Sequence, residues 1–241
     1  MPLTEKDVIA SRRRPRPYGA RPSSCYHTTG MKTLTPLEAK DLQDAGHLLI
    51  DVRSFQEFDS AHPAGALSVE YSRRSFDERV SQVAGAPASL ILVVDGDLQS
   101  SDDLRAHLEA KGYSVSGSVS FADWAASGLP TRALKEISVT DLAGHADSGG
   151  PILDIREPIE IEFLGAFPGA YEVPLSEALG RRVEIEGAFG PDSDLVILCS
   201  AGLRSATAGS LLFTWGYTRL AHPPDGLNGW LHAGHDLVRG R

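Results

Sequence analysis

Cysteine is scarce. The 241 residues hold two, Cys25 and Cys199, too few for a disulfide framework or a thiolate zinc site. A reducing compartment, the cytoplasm by default, is the expected setting. Positive charge is also in short supply: 23 Lys plus Arg stand against 32 Asp plus Glu, a net of -9. That balance argues against a protein that binds nucleic acid through its phosphate backbone. No apolar run approaches the roughly 18 residues that a membrane span requires, so no membrane partner is expected. What the chain does have is 41% hydrophobic residues, enough for a core, and a length that at about 150 residues per domain suits two domains or one large one.

The scarce basic residues are unevenly placed. Lys6, Arg12, Arg13, Arg14, Arg16 and Arg21 lie in residues 1–30 beside only two acids, Glu5 and Asp7. This stretch shows no apolar periodicity and no apolar segment after its arginine cluster. It therefore reads as a disordered basic arm rather than a secretory or twin-arginine signal. Met31 directly precedes the first patterned segment, and a start there is one explanation of the arm.

From Met31 onward the chain repeats itself. Asp51-Val52-Arg53 recurs 103 positions later as Asp154-Ile155-Arg156, and Gly65-Ala66 recurs at 104 as Gly169-Ala170. Ile91 to Val94 before Asp95 matches Val196 to Leu198 before Cys199, and Gly112-Tyr113 matches Gly216-Tyr217. Trp124 and Trp230 close the two copies. Landmarks in unchanged order at nearly constant offset identify a tandem duplication of one domain.

Each copy has the same grammar. Leu34-Thr35-Pro36-Leu37-Glu38 and Ile137-Ser138-Val139-Thr140-Asp141 each place a polar cap candidate before a short helix, while Leu48–Asp51 and Ile152–Asp154 look like buried strands. Ser89–Val94 and Leu195–Leu198 are apolar without alternation, as in central strands of a parallel sheet covered on both faces. Helix patterns follow over Asp102–Lys111 and Ser205–Thr214. Strands alternating with helices at this spacing predict an α/β fold, two tandem domains each with a mainly parallel sheet flanked by helices.

Cys199 ends the last of these strands and opens Cys199-Ser200-Ala201-Gly202-Leu203-Arg204-Ser205 before a helix. The amides of such a loop and the helix N-terminus form an anion cradle, and the same dipoles favour a thiolate. Arg204 adds positive charge, and Gly202 supplies conformational freedom to a tight loop. Cys199 is the nucleophile candidate.

Both copies resemble rhodanese (sulfurtransferase) domains. Asp51 to Ala66, DVRSFQEFDSAHPAGA, is similar to the family's opening pattern of Asp-x-Arg, an acid, then His and Pro-Gly-Ala. Asp154 to Ala170 is similar with one residue inserted and no His. CSAGLRS resembles the family's active loop, and Asp225 to Trp230 its closing Gly-Gly and Trp segment, with Asp225 in place of one Gly. The resemblance implies that Cys199 takes the outer sulfur of a donor such as thiosulfate or 3-mercaptopyruvate as a persulfide and passes it to a thiophilic acceptor. The partners implied are a small anionic sulfur donor and a cyanide-type or thiol acceptor, including a thiol protein; no metal or organic cofactor is called for. Ser200, Ala201, Gly202, Leu203 and Arg204 would bind the substrate, their amides stabilising thiolate and persulfide and the Arg204 guanidinium facing the anionic donor. Four residues separate Cys199 from Arg204, one fewer than in the related phosphatase signature, which disfavours phosphatase and arsenate reductase chemistry.

The first copy has Asp95-Gly96-Asp97-Leu98-Gln99-Ser100 at the matching positions, with a carboxylate for the nucleophile and Ser100 for the Arg. Residues 31–131 are therefore expected to form a noncatalytic domain and residues 137–241 the catalytic one. The competing reading is a redox- or sulfide-sensing or protein-interaction module built on the same thiol. The two Asp-x-Arg motifs read as structural ion pairs, His62 as structural, Trp124 and Trp230 as core anchors, and His232, His235 and Asp236 as a loop rather than a metal site. His222 stays open between a crevice residue and an exposed loop residue.

Overall fold

The computed structural model describes residues 31–72, 75–85, 87–95 and 99–239. The expected basic arm lies outside the described residues, as do Gly96, Asp97 and Leu98 of the first copy's loop and the side chains of Gln99 and Ser100.

The first repeat runs α1 (Pro36–Asp44), β1 (Leu48–Asp51), α2 (Phe55–Ser60), β2 (His62–Pro63), β3 (Leu67–Ser68), α3 (Phe76–Ala84), β4 (Ser89–Val94), α4 (Gln99–Glu109), β5 (Ser114–Ser120) and α5 (Phe121–Ala126). Two short strands, β6 (Thr131–Arg132) and β7 (Lys135–Glu136), bridge to the second repeat. There α6 (Val139–Asp147), β8 (Ile152–Asp154), α7 (Pro158–Leu164), β9 (Tyr171–Glu172), α8 (Leu175–Ala178), α9 (Arg182–Ala188), β10 (Leu195–Leu198), α10 (Leu203–Thr214), β11 (Leu220–His222) and α11 (Gly226–His232) follow. The four strands expected from apolar runs stand where the sequence put them. Thr35 and Ser138 cap α1 and α6, each in a reciprocal capping box, with Glu38 and Asp141 respectively. The two long helices start earlier than expected, at Gln99 and Leu203; the first turn of α4, Gln-Ser-Ser-Asp, is wholly polar and carries no apolar periodicity.

Each repeat builds a parallel sheet. The first has the order β3-β1-β4-β5 and the second β7-β11-β10-β8-β9. β6 pairs antiparallel with β2, while Lys135 and Glu136 of β7 pair with β11. The second sheet thus begins two residues before position 137, and the linker contributes a strand to each side.

Alternate residues along each central strand enter different cores, as the period of two in a strand requires. Leu49, Ile91 and Val93 face an outer core with Phe58 and Trp124; Ile152, Val196 and Leu198 face another with Phe167 and Trp230. Ile50, Leu90 and Leu92 of the first sheet and Leu153, Leu195 and Ile197 of the second belong instead to one shared core. Helices α3, α4, α8, α9 and α10 fill that middle layer through Phe76, Leu104, Leu175, Ile185 and Leu211. Helix α10 is buried on all sides from Ser205 to Leu212. This explains its run of small residues, since it lies against its own sheet and against β3 of the first repeat, where the Ser68 amide donates to Ser210 Oγ at 2.9 Å. Each leucine so buried contributes about 1.5–3 kcal/mol.

Candidate active site

Cys199 follows β10 directly and is 1% exposed. The Leu227 amide donates to the Cys199 carbonyl at 2.8 Å and the Asn228 amide to the Ser200 carbonyl at 3.1 Å. Because a peptide unit is planar with its N–H opposed to its C=O, these two bonds turn the Ser200 and Ala201 amides away from α11. The loop is closed by glycine at two points. Gly202 has φ +83°, and a Cβ there would run into the Pro224 carbonyl and the Phe55 ring; Gly226 has φ +54°, and a Cβ would strike the Cys199 carbonyl and the Ala201 amide. Gly202 then caps α10, whose first amide, that of Leu203, donates back to the Ala201 carbonyl at 3.0 Å.

Arg204 projects from the first turn of α10 into a bidentate pair with Glu160 of α7, Nη2 meeting Oε1 at 2.7 Å. Ser200 Oγ donates to the same Oε1 at 2.7 Å, and Arg204 Nη2 donates to Ser200 Oγ at 3.0 Å. One carboxylate thus holds both ends of the Cys199 loop. The Arg204 guanidinium draws the Glu160 carboxyl down to about 2, so it is ionised throughout the physiological range. Arg204, expected to face an anionic donor, therefore has both terminal nitrogens held within the protein. Glu160 escaped the sequence reading. Its signal was the repeat itself: it sits at the position of Glu57 in the first copy, the acid that follows Asp-x-Arg.

Cys199, Ser200, Ala201, Leu203 and Arg204 line a cavity of about 340 Å³. Its other wall comes from the first repeat, through Glu70, Ser72, Ser75 and Arg79. Ser75 has φ 55° and is the one non-glycine residue with left-handed backbone among the described residues. The site is a cleft between repeats; Gly202, expected to bind substrate, is not among its lining residues and packs against the Phe55 ring instead.

In the first repeat the matching strand end carries Asp95, whose carboxylate meets Arg53 Nη1 at 3.4 Å. Arg53 in turn is held by Asp51 at 2.6 Å and lies 3.9 Å from the centre of the Phe121 ring. Arg156 pairs with Asp154 in the same way, at 2.6 Å, with both side chains fully buried. Both motifs are structural ion pairs beneath the strand ends, and only the first copy's arginine extends to the nucleophile position. His62 is buried, stacked on Phe58 with ring centres 3.6 Å apart, and its Nδ1–H donates to the Phe58 carbonyl at 2.7 Å. Trp124 and Trp230 are core residues, and His235 stacks on Trp230. His222 is neither a crevice residue nor exposed: it is fully buried, facing Asp59 of the first repeat. Among the described residues no group of three or more His, Cys, Asp or Glu is arranged to hold a metal, and no helix is long and apolar enough to cross a membrane.

Comparison with known proteins identifies the family. The rhodanese-like domain model matches residues 35–126 and again 138–233. The chain is 33% identical over 108 residues to thiosulfate sulfurtransferase 16, chloroplastic, of Arabidopsis thaliana, covering 39% of this chain and 88% of that protein. It is 34% identical over 87 residues to a sulfurtransferase of Allochromatium vinosum, covering 36% of this chain and 77% of that one. Among solved structures, the thiosulfate sulfurtransferase of Pseudomonas aeruginosa aligns over 88% of this chain and 44% of its own, at 22% identity and a TM-score of 0.39. The two matched segments span most of the chain, one in each repeat, and the chain belongs to the rhodanese-like family.

Proposed function

We propose that the protein is a sulfurtransferase whose second repeat carries a sulfane sulfur on Cys199, with thiosulfate or 3-mercaptopyruvate as donor. The observation that carries this reading is the placement of Cys199: at a strand end, in a short loop whose carbonyls are tied back by α11, opening on a 340 Å³ cleft. With thiosulfate, the Cys199 thiolate attacks the outer sulfur, the S–S bond of the donor breaks, and sulfite leaves with the electron pair. The persulfide so formed is stabilised by the amides of Ser200, Ala201, Gly202 and Arg204, that of Leu203 being taken by the Ala201 carbonyl. Cyanide or a thiolate acceptor then attacks the outer sulfur and returns Cys199 as thiolate. No redox partner enters, since each step exchanges one nucleophile for another.

The first repeat is noncatalytic in this scheme, because Asp95 places a carboxylate, neutralised by Arg53, where the sulfur carrier stands in the second. A carboxylate there carries no transferable sulfur.

The test is the intact mass of the reduced protein after incubation with either donor, beside Cys199→Ser. The expected result is addition of one sulfur that cyanide removes and that the variant does not take up. No uptake by the wild type from either donor would move the assignment to a thiol that senses redox or sulfide state, or to an interaction module.

A further inference from the structure

The cleft in front of Cys199 is lined by two arginines, and they differ in what they hold. Arg204 is committed to Glu160 through both terminal nitrogens. Arg79, in α3 of the first repeat, donates from Nη2 to the Glu70 carbonyl at 2.7 Å and to Ser72 Oγ at 2.8 Å. Among the described residues its Nη1 is buried without a hydrogen-bond partner and Arg79 forms no ion pair. Glu70 lines the same cavity; its carboxylate accepts the Phe55 amide at 3.0 Å and acts on Arg79 through space, while the hydrogen bond from Arg79 goes to the Glu70 carbonyl. A buried guanidinium N–H without an acceptor is costly, and a bound anion relieves that cost.

We infer that Arg79 of the first repeat binds the anionic end of the sulfur donor, making the active site a composite of both repeats. This rests on the sulfurtransferase reading above and adds a second residue to it. The sulfonate of thiosulfate, or the carboxylate of 3-mercaptopyruvate, sits against Arg79 while the sulfur to be transferred faces Cys199. In this arrangement the first repeat supplies donor recognition and the second supplies chemistry. The duplicated domain is then retained for the wall it contributes.

The experiment is steady-state thiocyanate formation from thiosulfate and cyanide by the full chain, comparing wild type, Arg79→Gln and Arg79→Lys. Loss of one charge-assisted contact to the donor raises KM for thiosulfate about tenfold or more in Arg79→Gln with kcat within about twofold, and Arg79→Lys recovers part of it. A second readout is independent of turnover: alkylation of Cys199 by iodoacetate and by neutral iodoacetamide, followed by peptide mass. The ratio of the two rates falls about tenfold in Arg79→Gln, while the iodoacetamide rate, which reports an intact loop, stays at the wild-type value. A wild type that takes no sulfur from thiosulfate overturns the sulfurtransferase reading and this assignment together. A wild type that turns over, with KM and alkylation ratio unchanged in Arg79→Gln, overturns the assignment alone. Equal loss of the iodoacetamide and iodoacetate rates also overturns it, by reducing Arg79 to a structural role.

Discussion

Asp59 in α2 and His222 at the end of β11 meet at 2.8 Å in the interior, 163 positions apart in the chain. Both are buried, and the pair joins the two repeats where β11 turns into Pro223-Pro224 and so towards the Cys199 loop. Among the described residues Asp59 Oδ1 and His222 Nδ1 have no hydrogen-bond partner, which makes each residue dependent on the other for its polar contact. Removing one member leaves a polar group stranded in the core. Asp59→Ala and His222→Ala are each expected to destabilise the chain by about 3 kcal/mol, and the double variant by clearly less than the sum. Chemical denaturation of the four proteins of this cycle checks it; additive losses would show that the two residues do not interact.

His62 gives the fold a dependence on pH. Burial pushes its imidazole from the ordinary 6.5 down to about 4. Between those values the unfolded chain binds a proton that the folded chain refuses, so this residue's contribution to stability is full above pH 6.5 and is lost as pH falls towards 4. The slope approaches about 1.4 kcal/mol per pH unit in the middle of that window. His62→Asn should flatten the profile of unfolding free energy between pH 6.5 and 4 relative to wild type. An identical slope in both proteins would remove His62 from the account.

Glu160 is expected to matter through position, since it holds the loop ends and makes no contact with Cys199 in the structure. Glu160→Gln loosens Arg204 and Ser200 and should lower kcat/KM for sulfur transfer by about tenfold. With a carboxyl pKa near 2, the ion pair persists across the pH range of any ordinary assay, so Glu160 does not set the acid limb of the rate profile. Its contribution is present above about pH 4.5 and is lost only as pH falls towards 2. An acid limb near pH 4.5 that vanishes in the variant would contradict the Arg204 pairing.

Gly202→Ala asks a residue with a Cβ to hold φ +83° against the Pro224 carbonyl and the Phe55 ring. The expected cost is roughly 2–4 kcal/mol, accompanied by loss of sulfur loading as the loop is displaced. Thermal unfolding and the persulfide mass measurement together test it. A variant with wild-type Tm and full loading would mean that the loop has room the structure does not show.

Much of this architecture was legible in the order of residues. Recurrence of Asp-x-Arg, Gly-Ala, an apolar run and Trp at an offset of 103 to 106 marked a duplication, because two copies of one fold keep their landmarks in register. Unbroken apolar runs marked central parallel strands, since both faces of such a strand are covered. Thr35 and Ser138 marked helix starts by their hydroxyls alone, and Cys199 stood out because a thiol between a buried strand and a helix sits among converging amides. These are local properties, carried by neighbours in the chain.

Only the tertiary structure decided what each of these elements lies against. An apolar pattern states that a face is buried but not by which partner, so the single core shared by the two sheets, and the burial of α10 between them, could not be read from periodicity. The same holds for charge: Glu160 opposite Arg204, Asp59 opposite His222 and Arg53 reaching Asp95 are pairings between distant segments. Arg79 lies well over a hundred positions before Cys199 in the chain, and a lone arginine in an amphipathic helix carries no local mark of the cleft that the packing of two repeats places in front of it.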